Sequence, residues 1–329
     1  MKIKNLFTFS FVFLLLWINS GAEASGIKVI KKATAITDGS LYFMSPRWSP
    51  DGKKLAFTET KYNGIWVLEL RNKNFIQVTD EPGAGFGFQW SMDSKEILCR
   101  VSKQEGYRRY HAVKIFNIET DVIQQLTDYR SLMTALPHWT KNDREVYLAS
   151  NKGLEFFQVE NRSQLTSFKK PTSKQKNYYV NEKGINIQKD NKLVSTQKPV
   201  EGQYLNAVIS PDGDKIAFEI LGGNMYVLDL NKRRTKDLGI GYNPQWSPDN
   251  RKLVYMITED DGHNFTKSDV YVININGTGK TNLTNTSDLL EQNPSWSPNG
   301  KKIAFDELNS GKIYVIEIAE KKKIIRLEK

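Results

Sequence analysis

Few side chains in this sequence can carry redox, metal or covalent chemistry. The 329 residues include a single cysteine, Cys99, and three histidines. One cysteine excludes an internal disulfide framework, a cysteine-based zinc site and a CxxC redox motif, and three histidines leave little room for a histidine-rich metal centre. The sequence also lacks the G-x-S-x-G elbow of serine hydrolases, a P-loop and a dinucleotide-binding glycine motif between a strand and a helix. We therefore expect no catalytic residue, no metal site and no cofactor.

Long apolar runs are also scarce, and the longest lies at the N-terminus. Two lysines precede 13 mostly apolar residues, Leu6–Ile18, which end before the small-residue sequence Ala-Glu-Ala at 22–24. As a helix this run reaches about 20 Å, which is too short for a bilayer core of about 30 Å. The pattern is typical of a cleaved secretory signal peptide. We predict a signal peptide at 1–24, a single domain at 25–329, export to the periplasm or the extracellular space, and no stable membrane insertion after cleavage.

One phrase recurs along the rest of the chain. Residues 46–52 read Pro-Arg-Trp-Ser-Pro-Asp-Gly and are followed by the apolar run Leu55–Phe57. Six copies, some of them degraded, are centred on Trp48, Trp90, Trp139, Ile209, Trp246 and Trp296. A repeat at intervals of about 40 to 50 residues indicates a solenoid, a propeller or another repeat array. We expect the repeated tryptophan to pack between units rather than to act on a ligand.

The phrase also predicts the secondary structure of each unit. Proline presets φ at the first corner of a turn, aspartate tolerates the second, and glycine accepts the positive φ at the exit. Ser-Pro-Asp-Gly therefore predicts a tight turn between two strands, and two more strands follow, such as Ile65–Leu70 and Phe75–Thr79. In the last unit, Ile324–Leu327 is predicted as the closing strand. Four short strands per unit predict an all-β propeller of four-stranded antiparallel blades.

The number of blades depends on the wide gap between the third and fourth copies of the phrase. Within it, Tyr178–Ile187 resembles Tyr147–Phe156, and Leu193–Thr196 matches a closing strand. We predict a degenerate blade at 168–204, with its first strand near Phe168, and therefore seven blades. Six blades are the alternative, if this segment elaborates a neighbouring blade. Seven blades average about 44 residues each, which is usual for four-stranded blades.

The repeat resembles that of a known family. The phrase Pro-x-Trp-Ser-Pro-Asp-Gly-Lys-Lys-Ile-Ala-Phe, with a later Ile-Tyr-Val and Leu-Thr, resembles the WD-like repeats of TolB-like propellers over nearly all of the mature chain. The resemblance implies the fold and not a function, because related blades occur in peptidases, sugar-acting enzymes and binding proteins. TolB carries an α/β domain ahead of its propeller. Only the 20 residues Ser25–Met44 precede the first repeat here, so we expect that domain to be absent.

Loop lengths indicate a binding face. In a four-stranded blade, the turns between the second and third strands share one face with the connections between blades. The predicted loops on that face are long: Ser102–Tyr110, Asp128–Ala135, Glu259–Lys267 and Asn285–Asn293. Insertions on one face of a repeat array usually mark the binding face, and Tyr and Arg are enriched at binding hot spots. The candidate site combines an aromatic, basic loop with an acidic one: Tyr107, Arg108, Arg109, Tyr110, Asp260, Asp261 and His263.

The net charge of the chain indicates which kinds of partner it can bind. Basic residues outnumber acidic ones, 47 to 37, for a formal net charge of +10. Many lysines fall in pairs after turns, as solvated edge charges do, so we expect no nucleic-acid partner. The predicted protein is an exported, non-catalytic propeller that binds a protein or an acidic envelope component, with its oligomeric state left open. The alternative is a carbohydrate-acting lyase or hydrolase that uses the axial channel, as oligogalacturonate lyases do on a related propeller. His138 is the histidine on a predicted inner strand.

Overall fold

The computed structural model describes residues 26–140, 142–150, 153–160, 176–181, 184–189 and 192–321. Seven antiparallel sheets dominate this part of the chain, and its helical content is one short 3-10 turn, η1 (Thr60–Tyr62). Contacts between neighbouring sheets, including the first and the last, arrange them as the blades of a propeller. The predicted all-β fold with seven blades is confirmed. Among the described residues, no helix is long and apolar enough to cross a bilayer.

We number the blades 1 to 7 in the order in which the sheets follow one another along the chain from Phe43. Blades 1 and 2 consist of β2 (Phe43–Trp48), β3 (Lys54–Glu59), β4 (Ile65–Glu69) and β5 (Asn74–Thr79), then β6 (Gln89–Trp90), β7 (Glu96–Glu105), β8 (Arg108–Asn117) and β9 (Ile123–Gln125). Blades 3 and 4 have three described strands each, β10 (Pro137–Trp139), β11 (Glu145–Ser150) and β12 (Gly153–Gln158), then β13 (Lys176–Asn181), β14 (Gly184–Lys189) and β15 (Lys192–Gln197).

The remaining three blades have four strands each. Blades 5 and 6 consist of β16 (Tyr204–Ile209), β17 (Lys215–Ile220), β18 (Met225–Asp229) and β19 (Arg234–Gly239), then β20 (Tyr242–Trp246), β21 (Lys252–Asp260), β22 (Phe265–Asn274) and β23 (Thr281–Asn282). Blade 7 consists of β24 (Glu291–Trp296), β25 (Lys302–Glu307), β26 (Ile313–Glu320) and β1 (Ile27–Ala35).

Blade 7 closes the ring with strands from both ends of the described chain. β1 pairs antiparallel with β26, from Ile27 opposite Glu320 to Ala35 opposite Tyr314, and so supplies the outermost strand. The predicted closing strand Ile324–Leu327 lies outside the described residues, and β1 holds the outermost position in the described sheet of blade 7. A whole ladder of backbone hydrogen bonds must therefore break before the first and last blades can separate.

The repeated phrase forms a turn that its own side chains hold closed. In blade 1, Ser49 Oγ donates to Asp51 Oδ1 (2.6 Å) and accepts from the backbone N–H of Lys54 (2.9 Å). Equivalent pairs of hydrogen bonds recur at Ser91, Thr140, Ser210, Ser247 and Ser297. Each hydroxyl group hydrogen-bonds one side chain and one backbone N–H within five residues, so the local sequence alone determines each turn.

The tryptophans of the phrase join neighbouring blades. Three indole N–H groups donate to the main-chain carbonyl that precedes the equivalent position in the adjacent blade: Trp48 to Ser295 (3.2 Å), Trp90 to Arg47 (3.1 Å) and Trp246 to Val208 (2.9 Å). Trp246 is buried, whereas the tryptophans at 48, 90, 139 and 296 are half-buried. The predicted packing role is confirmed, and near-complete burial holds only for Trp246.

Blade 4 confirms the degenerate repeat. β13 and β14 pair up to Asn181 opposite Gly184, as β11 and β12 pair up to Ser150 opposite Gly153. β15 then pairs with β14 as the closing strand that Leu193–Thr196 predicts. The predicted first strand near Phe168 lies outside the described residues.

Candidate functional site

The two longest turns between second and third strands are β-ribbons. They lie on the face of the ring that also carries the connections between blades, which we call the hairpin face. β7 and β8 pair as far as Glu105 opposite Arg108, and β21 and β22 pair as far as Asp260. The prediction of loops at Ser102–Tyr110 and Glu259–Lys267 is wrong, because cross-strand pairing continues through most of both segments. Each group of candidate residues therefore sits at the end of a two-stranded ribbon.

The tip of blade 2 presents the aromatic and basic candidates. Gly106 has a φ of +59°, as a two-residue hairpin turn with glycine first requires, and Tyr107 follows at the apex, 106% exposed. Arg108 and Arg109 are exposed, and Tyr110 is half-buried. Within the described residues, neither arginine takes part in an ion pair. Two free guanidinium groups beside an exposed phenol offer bidentate donors and apolar area to a partner.

A charged and aromatic cluster supports the root of this ribbon. Lys114 Nζ lies 2.8 Å from Glu81 Oε1, and Lys103 and Lys114 place their ammonium groups 4.3 and 5.8 Å from the ring centre of Tyr129. Tyr129 Oη donates to Glu81 Oε2 at 3.4 Å. Our sequence reasoning missed this cluster, because Glu81 and Tyr129 come from two different blade connections and no local motif joins them. It ties the ribbon to both neighbouring connections.

The tip of blade 6 uses its acidic residues to hold its own turn. Asp260 Oδ1 accepts from the backbone N–H of Gly262 (3.0 Å), and Asp261 Oδ1 accepts from those of His263 (2.9 Å) and Asn264 (2.8 Å). These backbone donors lower the pKa of Asp261. His263 is exposed. Turn formation therefore accounts for the acidic character of this tip, and a role in binding stays a prediction.

The two tips share a face without forming one local site. Blades 2 and 6 are separated by blades 7 and 1 around the ring. The hydrogen bonds and ion pairs of the described residues at each tip stay within that tip or its root. A partner that touches both tips must therefore lie across the hairpin face.

Exposed apolar side chains accumulate on the same face. Six besides Tyr107 occupy its turns or blade connections: Leu41, Phe86, Leu132, Leu221, Ile240 and Phe265. Leu132 is 75% exposed, and Phe86 packs edge-on against Tyr62 with ring centres 5.0 Å apart. These side chains come from separate turns and connections around the ring, and each offers apolar area to a partner on this face.

A polar belt lines the axial end of the hairpin face. Four bulged residues of the innermost strands share a left-handed φ of +47° to +57°: Ser45, Asn206, Asn243 and Asn293. Asn243 Nδ2 donates to Asn293 Oδ1 (2.9 Å), Asn293 Nδ2 donates to Asp306 Oδ2 (3.2 Å), and Asp306 Oδ1 accepts from the N–H of Ser45 (2.9 Å). At the other end, Glu219 accepts from the side chain of Asn206. Burial raises the pKa of Asp306 to about 7 and also raises that of Glu219.

His138 lies on an innermost strand, as predicted. Its Nδ1 is 2.9 Å from Gln89 Nε2, and its ring stacks on Tyr147 with centres 5.2 Å apart. Burial lowers the pKa of His138 to about 4, so the imidazole is neutral at pH 7. Among the described residues, no three His, Cys, Asp or Glu side chains come together as a metal site requires. A neutral, stacked and hydrogen-bonded imidazole is typical of a packing residue.

Comparison with known families identifies the repeats. A family model described as the TolB beta propeller domain matches residues 168–326. The repeats of this chain therefore resemble those of TolB-like β-propellers, as the sequence predicts. The Tol-Pal system protein TolB of Francisella tularensis subsp. holarctica is 22% identical to this TolB-like chain over 265 residues, 77% of the chain and 54% of that protein. Dipeptidyl-peptidase 5 of Porphyromonas endodontalis is 24% identical over 258 residues, 76% of the chain and 33% of that enzyme.

Solved structures agree on the fold. TolB from Acinetobacter baumannii superimposes with a TM-score of 0.52 and 16% identity, over 83% of this chain and 66% of that one. Oligogalacturonate lyase from Vibrio parahaemolyticus superimposes with a TM-score of 0.51 and 13% identity, over 89% and 96%. At these identities the likeness shows the fold alone. The TolB-like chain also spans only about half the length of the curated TolB proteins that it matches.

Proposed function

We propose that this TolB-like propeller is exported and binds a protein or an acidic envelope component through its hairpin face, without catalysis of its own. The observation that carries the proposal is the asymmetry of the two faces. On the hairpin face, the β7–β8 ribbon carries the fully exposed Tyr107 beyond the blade. On the opposite face, the first turn of each repeated phrase is short and closed by its own hydroxyl and carboxylate or amide groups, as at Ser49 and Asp51.

The chemistry of the blade 2 tip indicates what it would recognise. Arg108 and Arg109 are exposed and form no ion pair with the described residues, so they are available to carboxylate or phosphate groups. Tyr107 adds apolar area at a low cost in side-chain entropy, because it has only two rotatable side-chain bonds. The apolar residues on the same face would extend the contact toward the axis. A protein surface with acidic residues around an apolar centre satisfies all three features.

Export is the second part of the proposal. It rests on the basic, apolar and small-residue pattern of residues 1–24, which lie outside the described part of the chain, and it takes 25–329 as the mature domain. The relatives named as Tol-Pal system proteins support an envelope context, although their assembly is a property of those proteins. An acidic envelope component also suits the net charge of +10.

Binding to envelope extract tests the face assignment. The mature chain is immobilised, and partner retention is measured for wild type and for Tyr107→Ala and Arg109→Ala. Each substitution should weaken binding by about 1–2 kcal/mol, or about 5- to 30-fold, and leave the melting temperature nearly unchanged, because both side chains are exposed.

The matched control lies on the opposite face. Lys73 is exposed in the turn between β4 and β5, so Lys73→Glu should change neither binding nor melting temperature. If Lys73→Glu abolishes binding while the Tyr107 and Arg109 variants bind normally, the partner occupies the other face and the proposal is wrong.

A further inference from the structure

A cavity of about 620 Å³ opens opposite the hairpin face, at the junction of blades 6 and 7. Its apolar lining comes from two turns, the end of β24 and the β1–β26 pair: Pro248, Pro298, Trp296, Ile27, Ile30 and Ile318. A volume of this size falls within the range of about 300–1,000 Å³ that is usual for small-molecule sites. None of the lining residues belongs to the turns or blade connections of the hairpin face, so the cavity needs an explanation of its own.

Three other junctions are bridged on this face by a side chain at the exit of the repeated turn. Ser94 Oγ accepts from the N–H of Asp51 (3.0 Å), Asp143 Oδ2 accepts from that of Met92 (2.5 Å), and Asn250 Oδ1 accepts from that of Asp212 (3.0 Å). These three exit residues have φ values of +62°, +53° and +62°, a conformation that glycine would adopt more cheaply. At each of these positions, the hydrogen bond to the preceding blade offsets the unfavourable left-handed backbone conformation.

The junction of blades 6 and 7 lacks both of these inter-blade links. Its exit residue is Gly300, which has no side chain to reach the turn of blade 6, and a Cβ built there meets no atom within 4 Å. The indole N–H of Trp296 is buried, and it has no hydrogen-bond acceptor among the described residues, unlike those of the tryptophans at 48, 90 and 246. At the next junction, blade 1 also has a glycine, but Pro298 lies 3.1 Å from a Cβ built on Gly52 and fills the space. Gly300 therefore leaves this junction without the side-chain link that Ser94, Asp143 and Asn250 supply at their junctions, and the cavity lies beside it.

Three lysines and three carboxylates line the cavity, and among these lysines Lys301 forms no ion pair with the described residues. Lys301 is exposed, while Lys302 Nζ is 3.7 Å from Glu317. Lys252 is buried at the edge, and its Nζ lies 2.8 Å from Glu320, which is itself largely exposed. Asp249, the remaining carboxylate of the lining, already accepts from Ser247 Oγ (2.6 Å) within its own turn. An acidic head group bound here would form an ion pair with Lys301 and compete with Glu317 for Lys302.

We propose that the junction of blades 6 and 7 binds a single-chain aliphatic carboxylate, with its hydrocarbon chain between Trp296 and Ile30 and its head group at Lys301 and Lys302. The apolar walls supply the affinity, since burial of hydrocarbon from water is favourable by about 25 cal/mol per Å². The lysines select an acid over a neutral amphiphile. This site is separate from the hairpin face, so its failure would leave the proposed partner binding untouched.

Calorimetric titration of the mature chain with dodecanoate, below its micelle concentration, tests the proposal. Wild type should show saturable binding, and Gly300→Asn should weaken it at least tenfold, because an amide at this position can bridge to the turn of blade 6 as Asn250 bridges to that of blade 5. The matched control is Gly213→Asn, which makes the same change in blade 5, where a Cβ also meets no atom within 4 Å; its binding should stay within twofold of wild type. Ile30→Asp, at a wall residue that is 57% exposed, tests the site without threatening the fold and should also weaken binding at least tenfold.

Titrations with other amphiphiles test which head group the cavity selects. Dodecanol, which has the same chain and no charge, should bind at least tenfold more weakly than dodecanoate. The proposal is overturned by an absence of saturable binding to wild type, by equal binding to the Gly300→Asn and Ile30→Asp variants, or by equal affinity for the alcohol. Binding that appears only in a chain ending at Lys321 would assign the cavity to the segment that follows and would also overturn the proposal. Binding to phosphatidylglycerol vesicles without binding of monomeric dodecanoate would assign the site to a lipid surface instead.

Discussion

Trp246→Ala tests the repeat alignment on which the blade assignment depends. Trp246 is 8% exposed and packs in the cluster between blades 5 and 6, next to Met225, Leu253 and Tyr255. Truncation returns roughly 150 Å² of apolar area to water, worth roughly 4 kcal/mol at about 25 cal/mol per Å². The substitution also leaves the carbonyl of Val208 without its 2.9 Å donor. Partial collapse of the site offsets some of this, so the expected loss of unfolding free energy is about 3–5 kcal/mol.

The assay is thermal or denaturant unfolding of the mature chain, followed by circular dichroism. A loss of this size should lower the melting temperature by roughly 10 °C. Trp246→Phe is the matched variant: it retains most of the ring area and removes only the donor and part of the volume, so it should cost about 1–2 kcal/mol. If Trp246→Ala melts within a degree or two of wild type, the equivalence of the blade anchors is wrong.

Two further predictions concern the belt and the N-terminus. Burial raises the pKa of Asp306 to about 7 from its ordinary value of 3.8, so the folded state binds a proton more tightly than the unfolded state. The free energy of unfolding should therefore fall as pH rises from about 4 to 7. Asp306→Asn should reduce the change in unfolding free energy across that pH range by up to about 4 kcal/mol, measured by urea unfolding at several pH values. Part of the pH dependence should remain, because burial also raises the pKa of Glu291 to about 7. An unchanged pH dependence in the variant would contradict the role of Asp306. The exported protein should begin at or near Ser25, and intact-mass spectrometry that finds Met1 on secreted material would refute the predicted cleavage.

Local physics made much of the fold predictable. The turn at Ser49 is closed by hydrogen bonds that span no more than five residues, so its sequence is recognisable wherever the turn occurs. The hairpin similarity that revealed blade 4 is local as well. Ring closure does not depend on local sequence, because Ile27 pairs with Glu320 from the other end of the chain. The number of repeats therefore cannot show which strand completes the last blade.

The ribbons and the belt show a second limit. Polar segments such as Lys103–Tyr110 lack the apolar alternation by which a half-buried strand is recognised, so they were predicted as loops although their backbones pair. The belt joins Asn243, Asn293 and Asp306 from two blades and depends on residues held in a left-handed conformation. Nothing local marks these asparagines as bulge residues. The two long ribbons were detectable because their length is itself encoded as extra residues, and the role of their face in binding stays a prediction.

Site-specific photocrosslinking tests the central claim, that the hairpin face is the binding face, most directly. A photoreactive phenylalanine analogue is placed at position 107 in one mature chain and at position 73 in another, and both are irradiated in envelope extract. Tyr107 is fully exposed at the apex of the blade 2 ribbon, so the account predicts a discrete, saturable adduct from that position and none from Lys73. The adduct should disappear when unlabelled wild type competes and persist when the Arg109→Ala variant competes. An adduct from position 73 alone would contradict the account.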